Sequence, residues 1–294
     1  MRLPLKLCAD RVPSQLHRLL PCKVSPAELT GSHGGLAPGA PEFRAWFSAR
    51  VSSLTLKGTW RSTRPGRQVQ TNQLLARRLS GTRPVIIDVG VSDGVTSLEF
   101  IEELGANFAK YYVTDRFLTI DYVASESAVL FFDKGGVCVC AAGRWLVFYP
   151  QQPRHARFLQ WRHPRVFGVA GVNRAVLREL SLLQPQLREL AETDSRIAIA
   201  EHDAFVRWPW AAADVVKIAN LLNRAYFTDP QILAIVGNAH RALQDGARLV
   251  VVENRGVGQV EQTSVFLRRG GGFVLEEQIG TGSEIASLVL SYHG

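Results

Sequence analysis

Val85-Ile86-Ile87-Asp88-Val89-Gly90-Val91-Ser92-Asp93-Gly94-Val95-Thr96-Ser97 is the stretch that decides the fold of this chain. Its opening apolar run, closed by Asp88 and a glycine loop, has the pattern of a parallel strand buried on both faces. The glycines permit a sharp turn and let a ligand approach the backbone. Immediately after the loop, Val95, Leu98, Ile101 and Leu104 recur at three-residue spacing while Glu99, Glu102 and Glu103 fall elsewhere. That spacing predicts an amphipathic helix.

Moving outward, the strand-helix alternation repeats. Tyr111–Thr114 reads as a second strand ending at Asp115, and Ile197–Ala200 as a third ending at Glu201-His202-Asp203. Asp214–Ala219 is a fourth strand. Asp229-Pro230 then offers an N-cap and a proline for the first helical position, with Ile232, Leu233, Val236, Ala239 and Leu243 on one face. Asp245-Gly246 stops that helix, and Arg248–Glu253 is a further buried strand. The tail reads as strand-rich over Ser264–Leu267, Phe273–Glu276 and Ser287–Ser291. Residues 123–165 interrupt the alternation: Val129–Phe132 and Val137–Tyr149 flank the turn Asp133–Gly136, which predicts a β-hairpin insertion. The spacing of Val176, Leu177, Leu180, Leu183, Leu187 and Leu190 predicts a helix kinked near Pro185. The fold class is therefore α/β: a Rossmann-like, seven-stranded, mostly parallel sheet with helices on both faces, a β-hairpin insertion and a helical N-terminal lead-in.

Three segments follow: a flexible segment and linker over 1–41, a basic helical lead-in over 42–83, and the α/β domain over 84–294. Residues 24–41 are rich in Pro, Gly, Ser and Ala and offer little apolar surface to offset the entropy of ordering. Between Glu42 and Arg83 nine basic residues (Arg44, Arg50, Lys57, Arg61, Arg64, Arg67, Arg77, Arg78 and Arg83) face one acidic residue, an excess equal to the whole chain's net charge of +8. Arg44 to Arg83 is thus a candidate surface for RNA or another acidic partner, or a solvated helical face. Phe43, Trp46, Phe47, Val51, Leu54 and Leu56 are expected to dock this lead-in onto the α/β domain. No stretch has the roughly 18 uninterrupted apolar residues of a membrane span. The N-terminus has basic residues but no continuous apolar core of a secretory signal, so a cytoplasmic setting is expected, with an organellar transit segment left open. Cys8, Cys22, Cys138 and Cys140 lack metal-ligand spacing and read as reduced structural thiols, and no metal site is expected.

In an open parallel sheet, ligands bind beyond the carboxyl ends of the strands, and these ends are polar here. The loop after the first strand lacks G-x-G-x-x-G and places Asp93 where a pyrophosphate would meet a negative charge, which disfavours a nicotinamide cofactor. Asp115 stands where a carboxylate can accept from ribose hydroxyls. The order Asp88-x-Gly90-x-x-Asp93-Gly94, Asp115, Asp203 and Asp214–Leu222 resembles the class I S-adenosylmethionine-dependent methyltransferase family over about the last 210 residues. The resemblance implies S-adenosyl-L-methionine as cofactor and a sheet whose last strand is antiparallel. It also implies that Gly90 and Gly94 cradle the methionine moiety, that Asp115 holds the ribose, and that Asp203 with Ala204 or Phe205 meets adenine. Ser92 stands where the family usually has glycine.

Asp88, Gly90, Ser92, Asp93, Gly94, Asp115, Asp203, Ala204 and Asn220 are therefore the expected cofactor-binding set. Asp88 is equally suited to bracing the loop. Asn220, Asn223 and Tyr226 follow the fourth strand and are the candidates for chemistry or for loop stabilisation, while His163, His202 and His240 read as packed or surface residues. Methyl transfer is an in-line displacement in which the cofactor carries the activated group, so orientation and a dry site can suffice without a dedicated base. The expected acceptor is a small molecule or biosynthetic intermediate. RNA or protein is the alternative acceptor, and a non-catalytic S-adenosylmethionine-binding module the other alternative.

Overall fold

The computed structural model describes residues 4–17, 19–31, 35–56, 59–60, 63–168, 171–210, 212–256 and 258–294. Lys57 and Arg61 of the basic lead-in, and residues 32–34 of the expected linker, lie outside them. The chain divides into two compact units, residues 1–63 with 119–183 and residues 64–118 with 184–294.

The second unit holds the expected alternation. Its elements are α1 (Val69–Arg78), β1 (Val85–Val89), α2 (Val95–Leu104), β2 (Lys110–Asp115), α3 (Pro185–Thr193), β3 (Ile197–Glu201), β4 (Ala213–Ala219), α4 (Asp229–Ala242), β5 (Leu243–Arg255), β6 (Val260–Arg269), β7 (Gly272–Ile279) and α5 (Ala286–Leu290). Strand order is β3-β2-β1-β4-β5-β6-β7. The first five run parallel, with Ile86 opposite both Tyr111 and Val215. On one face Ile87, Val89, Val216, Ile218, Leu249 and Val251 pack with Ile232, Ile235, Val236 and Ala239 of α4 and Val289 of α5. On the other, Ser97 and Phe100 of α2 meet Asp88 and Tyr111. Each fully buried aliphatic side chain contributes about 1.5–3 kcal/mol, and a one-residue slip would turn every one to the wrong face, which fixes the register.

Four local expectations change. The antiparallel strand is β6, the sixth of seven, which pairs antiparallel with both β5 and β7 and leaves β7 parallel to the rest. Ser287–Ser291 is not a strand: Ala286–Leu290 is helical, with Val289 buried. The helix expected to kink near Pro185 instead begins there, because a residue without an N–H fits the first turn, and Arg178–Ser181 is a strand. Thr228 rather than Asp229 is the N-cap of α4, its N–H donating to Gln231 Oε1 at 2.9 Å, and the helix ends at Ala242, before Asp245-Gly246.

The first unit brings together residues from the expected N-terminal segment, the lead-in and the insertion. A seven-stranded sheet runs, in spatial order, through 178–181, 119–124, 128–132, 138–143, 146–148, 5–8 and 22–23, with only the last pair parallel. The expected hairpin is the centre of this meander, its turn closed by Val137 N–H donating to Asp133 Oδ1 at 2.9 Å. Residues 1–41 are not a free segment throughout. Leu5–Cys8 pairs with Leu146–Phe148, Tyr149 N–H donates to Pro4 O at 2.7 Å, and Pro26 and Leu29 are buried in a 3-10 turn capped by Ser25. Backbone pairing to distant residues orders what local composition alone would leave loose. The basic lead-in is likewise split. The helix Pro41–Val51 belongs to the first unit, where Arg50 pairs with Asp10 at 3.2 Å and with Glu28, and α1 belongs to the second. Tyr149 donates to Ser53 O at 2.7 Å, so the apolar run from Phe43 to Leu56 is tied into the first unit.

No helix among the described residues is long and apolar enough to cross a membrane. The four cysteines are free, and burial pushes the Cys138 thiol up to about 12.

Candidate functional site

The loop between β1 and α2 is built from left-handed backbone: Gly90 at φ 75°, Ser92 at 62° and Gly94 at 75°. Ser92 thus occupies a left-handed conformation that glycine adopts freely, at a backbone cost of roughly 1–2 kcal/mol for an L-residue. Tertiary contacts sustain it. Gly90 and Val91 N–H groups donate to Thr114 O at 2.8 and 3.1 Å, and Ser92 N–H donates to Asp115 Oδ2 at 2.8 Å. Asp115 Oδ1 accepts from Phe117 N–H at 2.9 Å. A Cβ at Gly90 would also lie 3.0 Å from Leu221 Cδ2, a tight contact to which the leucine end would have to yield. Asn220, at the end of β4, is a second strained residue with φ 55°. The carboxyl ends of β1, β2 and β4 therefore meet in a rigid, strained corner.

Two of the expected ligand carboxylates point inward. Asp93 is fully buried, Oδ1 accepting from Val95 N–H and Oδ2 from Gln184 Nε2, each at 3.1 Å. It caps the entrance to α2 and ties it to α3. Asp88 takes the bracing role: Oδ2 accepts from Tyr111 Oη at 2.7 Å and Ser97 Oγ at 2.9 Å, with Lys217 Nζ at 3.5 Å. Burial, reinforced by the neighbouring Asp88 charge, holds the Tyr111 hydroxyl well above its ordinary pKa and keeps it a donor.

Lys217 is the residue that sequence reading missed. Its side chain is fully buried, 5.1 Å from the Phe100 ring centroid, and its ammonium makes no hydrogen bond among the described residues. The signal was one lysine inside the apolar run 215–219.

At the end of β3, Asp203 Oδ1 accepts from Phe205 N–H at 3.1 Å and Oδ2 meets Arg116 Nε at 3.2 Å. Ala204 O accepts from Asn238 Nδ2 at 2.9 Å. Beneath this turn lies a shallow cleft, open to solvent and lined by Val89, Ala204, Val206, Trp208 and Ile218, with His202 and Asn238 as polar groups. Among the described residues no helix lies between β3 and β4; Trp208 and Trp210 pack on Tyr112 instead, at 5.3 and 5.5 Å between centroids. Burial lowers the His202 pKa, so the ring beside Trp208 is held neutral.

The chemistry candidates are mostly engaged. Asn220 and Asn254 are reciprocally bonded, Nδ2 to Oδ1 at 3.0 Å and Oδ1 from the Asn254 N–H at 2.8 Å. Arg67 Nε joins them through Asn254 Oδ1 at 3.1 Å. Burial, with Arg64 adding to it, lowers the Arg67 pKa, and Asp93 opposes the shift. Asn223 Oδ1 accepts from Ala225 N–H at 3.0 Å and closes its own turn. Tyr226 is exposed beside Phe227. Among the described residues no group of three or more His, Cys, Asp or Glu side chains is placed to hold a metal ion.

No family model and no curated protein matches this chain. Among solved structures it is similar to the S-adenosylmethionine-dependent methyltransferase SibL in its apo form, at 17% identity over 64% of this chain and 36% of that one, TM-score 0.32. It is also similar to an O-methyltransferase family protein from Burkholderia thailandensis, at 14% identity over 64% and 40%, TM-score 0.31. N-methyltransferase NodS from Bradyrhizobium japonicum WM9 aligns at 14% identity over 66% and 72%, TM-score 0.31. The alignments span less than half the length of the first two. The Rossmann-like architecture is defined by the strand order and register of the second unit, not by these overlaps.

Proposed function

We propose that the second unit binds S-adenosylmethionine at the carboxyl ends of β1 to β4, and that the chain is a methyltransferase acting on a small molecule or biosynthetic intermediate. The observation that carries this reading is Asp115. Its Oδ2 accepts the Ser92 N–H of the strained loop and its Oδ1 the Phe117 N–H just after β2, which fixes a carboxylate at the carboxyl end of β2, where it suits the paired hydroxyls of a ribose. Gly90 and Ser92 would hold the methionine portion, and Asp203 with Ala204 the adenine. The buried carboxylates Asp88 and Asp93 disfavour a polyphosphate nearby and suit a ligand bearing ammonium and sulfonium charges. That cofactor supplies an already activated methyl group. The contribution of this chain is a preorganised corner that orients it beside a largely apolar cleft.

Calorimetric titration of the full chain with S-adenosylmethionine and its demethylated product tests the reading. Binding of both is expected; a folded sample without heat or thermal stabilisation at millimolar ligand would falsify it. An anionic polymer such as RNA is the second reading of the acceptor, favoured by the charge of the first unit. There 17 Lys and Arg stand against 7 Asp and Glu, a net +10, whereas the second unit has 17 against 19.

A further inference from the structure

We propose that the first unit carries a binding face for single-stranded nucleic acid, centred on the helix Pro153–Arg162. The proposal stands apart from cofactor binding by the second unit and deepens the second reading of the acceptor. From Lys134 to Arg178 the chain has eight basic residues and no acidic one. The helix sits in the middle of that run. It anchors itself through Leu159, which is buried with Leu130, Phe132 and Val166, while Phe158 is 52% and Trp161 76% exposed. At about 100° per residue, Arg157, Trp161, Arg154, Phe158 and Arg162 follow one another around an arc of roughly 140° on the solvent side. Arginines and rings therefore alternate across one face. The rings form a continuous strip, with Phe158 6.1 Å from Trp161 and 6.3 Å from Phe148 between centroids. Arg144 beside Trp145, itself 55% exposed, repeats the pairing in the turn before Leu146–Phe148. The ion pair nearest in sequence to the helix, Arg165 with Glu126 at 3.3 Å, is almost wholly exposed and screens little of this charge.

The interleaving selects the partner. A helix that lies in a membrane surface segregates an apolar face from a basic one, so that its rings can sink without carrying charges to the same depth. Here each ring has guanidinium groups on either side, a spacing that suits bases stacked on the rings and phosphates held between them. Only unpaired strands offer base faces for such stacking. Duplexes would meet the arginines alone.

Fluorescence anisotropy with a labelled 20-nucleotide single-stranded RNA of mixed sequence, using the full chain without cofactor, is the test. Binding that weakens with salt is expected, together with a loss of about tenfold or more in Phe158→Ala/Trp161→Ala. Trp161→Ala alone, at the more exposed ring, separates lost stacking from lost packing, and its melting temperature should match the parent. Replacing Arg154, Arg157 and Arg162 with Gln should lower the slope of log affinity against log salt by roughly 2. Equal affinity for the blunt duplex, unchanged RNA affinity in these variants, or binding to phosphatidylserine vesicles without binding to RNA overturns the proposal. Calorimetry with S-adenosylmethionine on the same variants should remain as in the parent, so failure of cofactor binding and failure of RNA binding are read separately.

Discussion

Each unit contains a seven-stranded sheet and a deeply placed cation, but the two cations stand in different surroundings. Arg50 of the first unit is answered by Asp10 and Glu28, whose side chains keep 25% and 37% of their exposure, so water shares the charge. Lys217 of the second unit is fully buried with Asp88, which is 3% exposed, and the pair lies in the sheet beneath the glycine loop. Both charges tie separate elements together, but Arg50 does so through partners that water still reaches, whereas the Lys217–Asp88 pair does so where water does not. Asp88 links β1 to β2 through Tyr111, to α2 through Ser97 and to β4 through Lys217, and these elements converge at the site.

The largest expected effect follows from that difference. Lys217→Met should destabilise the chain by about 3–5 kcal/mol, because it leaves a buried carboxylate without its counter-charge. Adding Asp88→Asn should recover most of the loss. Arg50→Met should cost about 1.5–3 kcal/mol, since its partners can turn to solvent. Urea denaturation of the three variants decides the matter, and an Arg50 loss exceeding the Lys217 loss would reverse the comparison.

Asp115→Ala should weaken S-adenosylmethionine binding about tenfold or more through lost charge-assisted hydrogen bonds while the fold persists. Unchanged affinity in calorimetry would leave Asp115 as a loop brace alone. Gly90→Ala combines a left-handed backbone with the contact to Leu221 and should cost roughly 1–2 kcal/mol, of which Leu221→Ala relieves only the steric part. Recovery of the whole loss in that double variant would mean that backbone strain is not stored there.

The smallest effect concerns pH. Burial is the first cause lowering the pKa of His163 in the first unit and of His202 and His240 in the second. Because the unfolded chain takes up these protons first, the stability they contribute is present above about pH 6.5 and declines as pH falls through the lower folded values. The melting temperature should drop between pH 7.5 and 5.5, and less so in His240→Phe, by roughly the share of one histidine. A slope unchanged by that substitution would remove His240 from the account.

Much of the second unit was legible because its signals are local. Continuous apolar runs marked β1, β4 and β5, three-residue spacing marked α2, and the polar strand ends pointed to the corner at Gly90, Asp115 and Asn220. Readings failed where one pattern served two structures. The leucines from 177 to 190 fit a helix by spacing, yet Arg178–Ser181 pairs with Thr119–Tyr122 and only the part after Pro185 is helical. Ser287–Ser291 likewise looked extended and is largely the short helix α5.

The sequence by itself determined the alternation of the second unit, its buried parallel strands and the loop that needs glycine, because periodicity and steric limits act between near neighbours. Only the tertiary structure decided that Leu5–Cys8 joins a sheet with Leu146–Phe148, that Arg44 and Arg77 belong to different units, and that Asp93 faces inward to Gln184 across 91 positions. Each of these depends on which distant segment supplies a hydrogen-bond partner or a counter-charge, and that information resides in the packed arrangement rather than in any window of the chain.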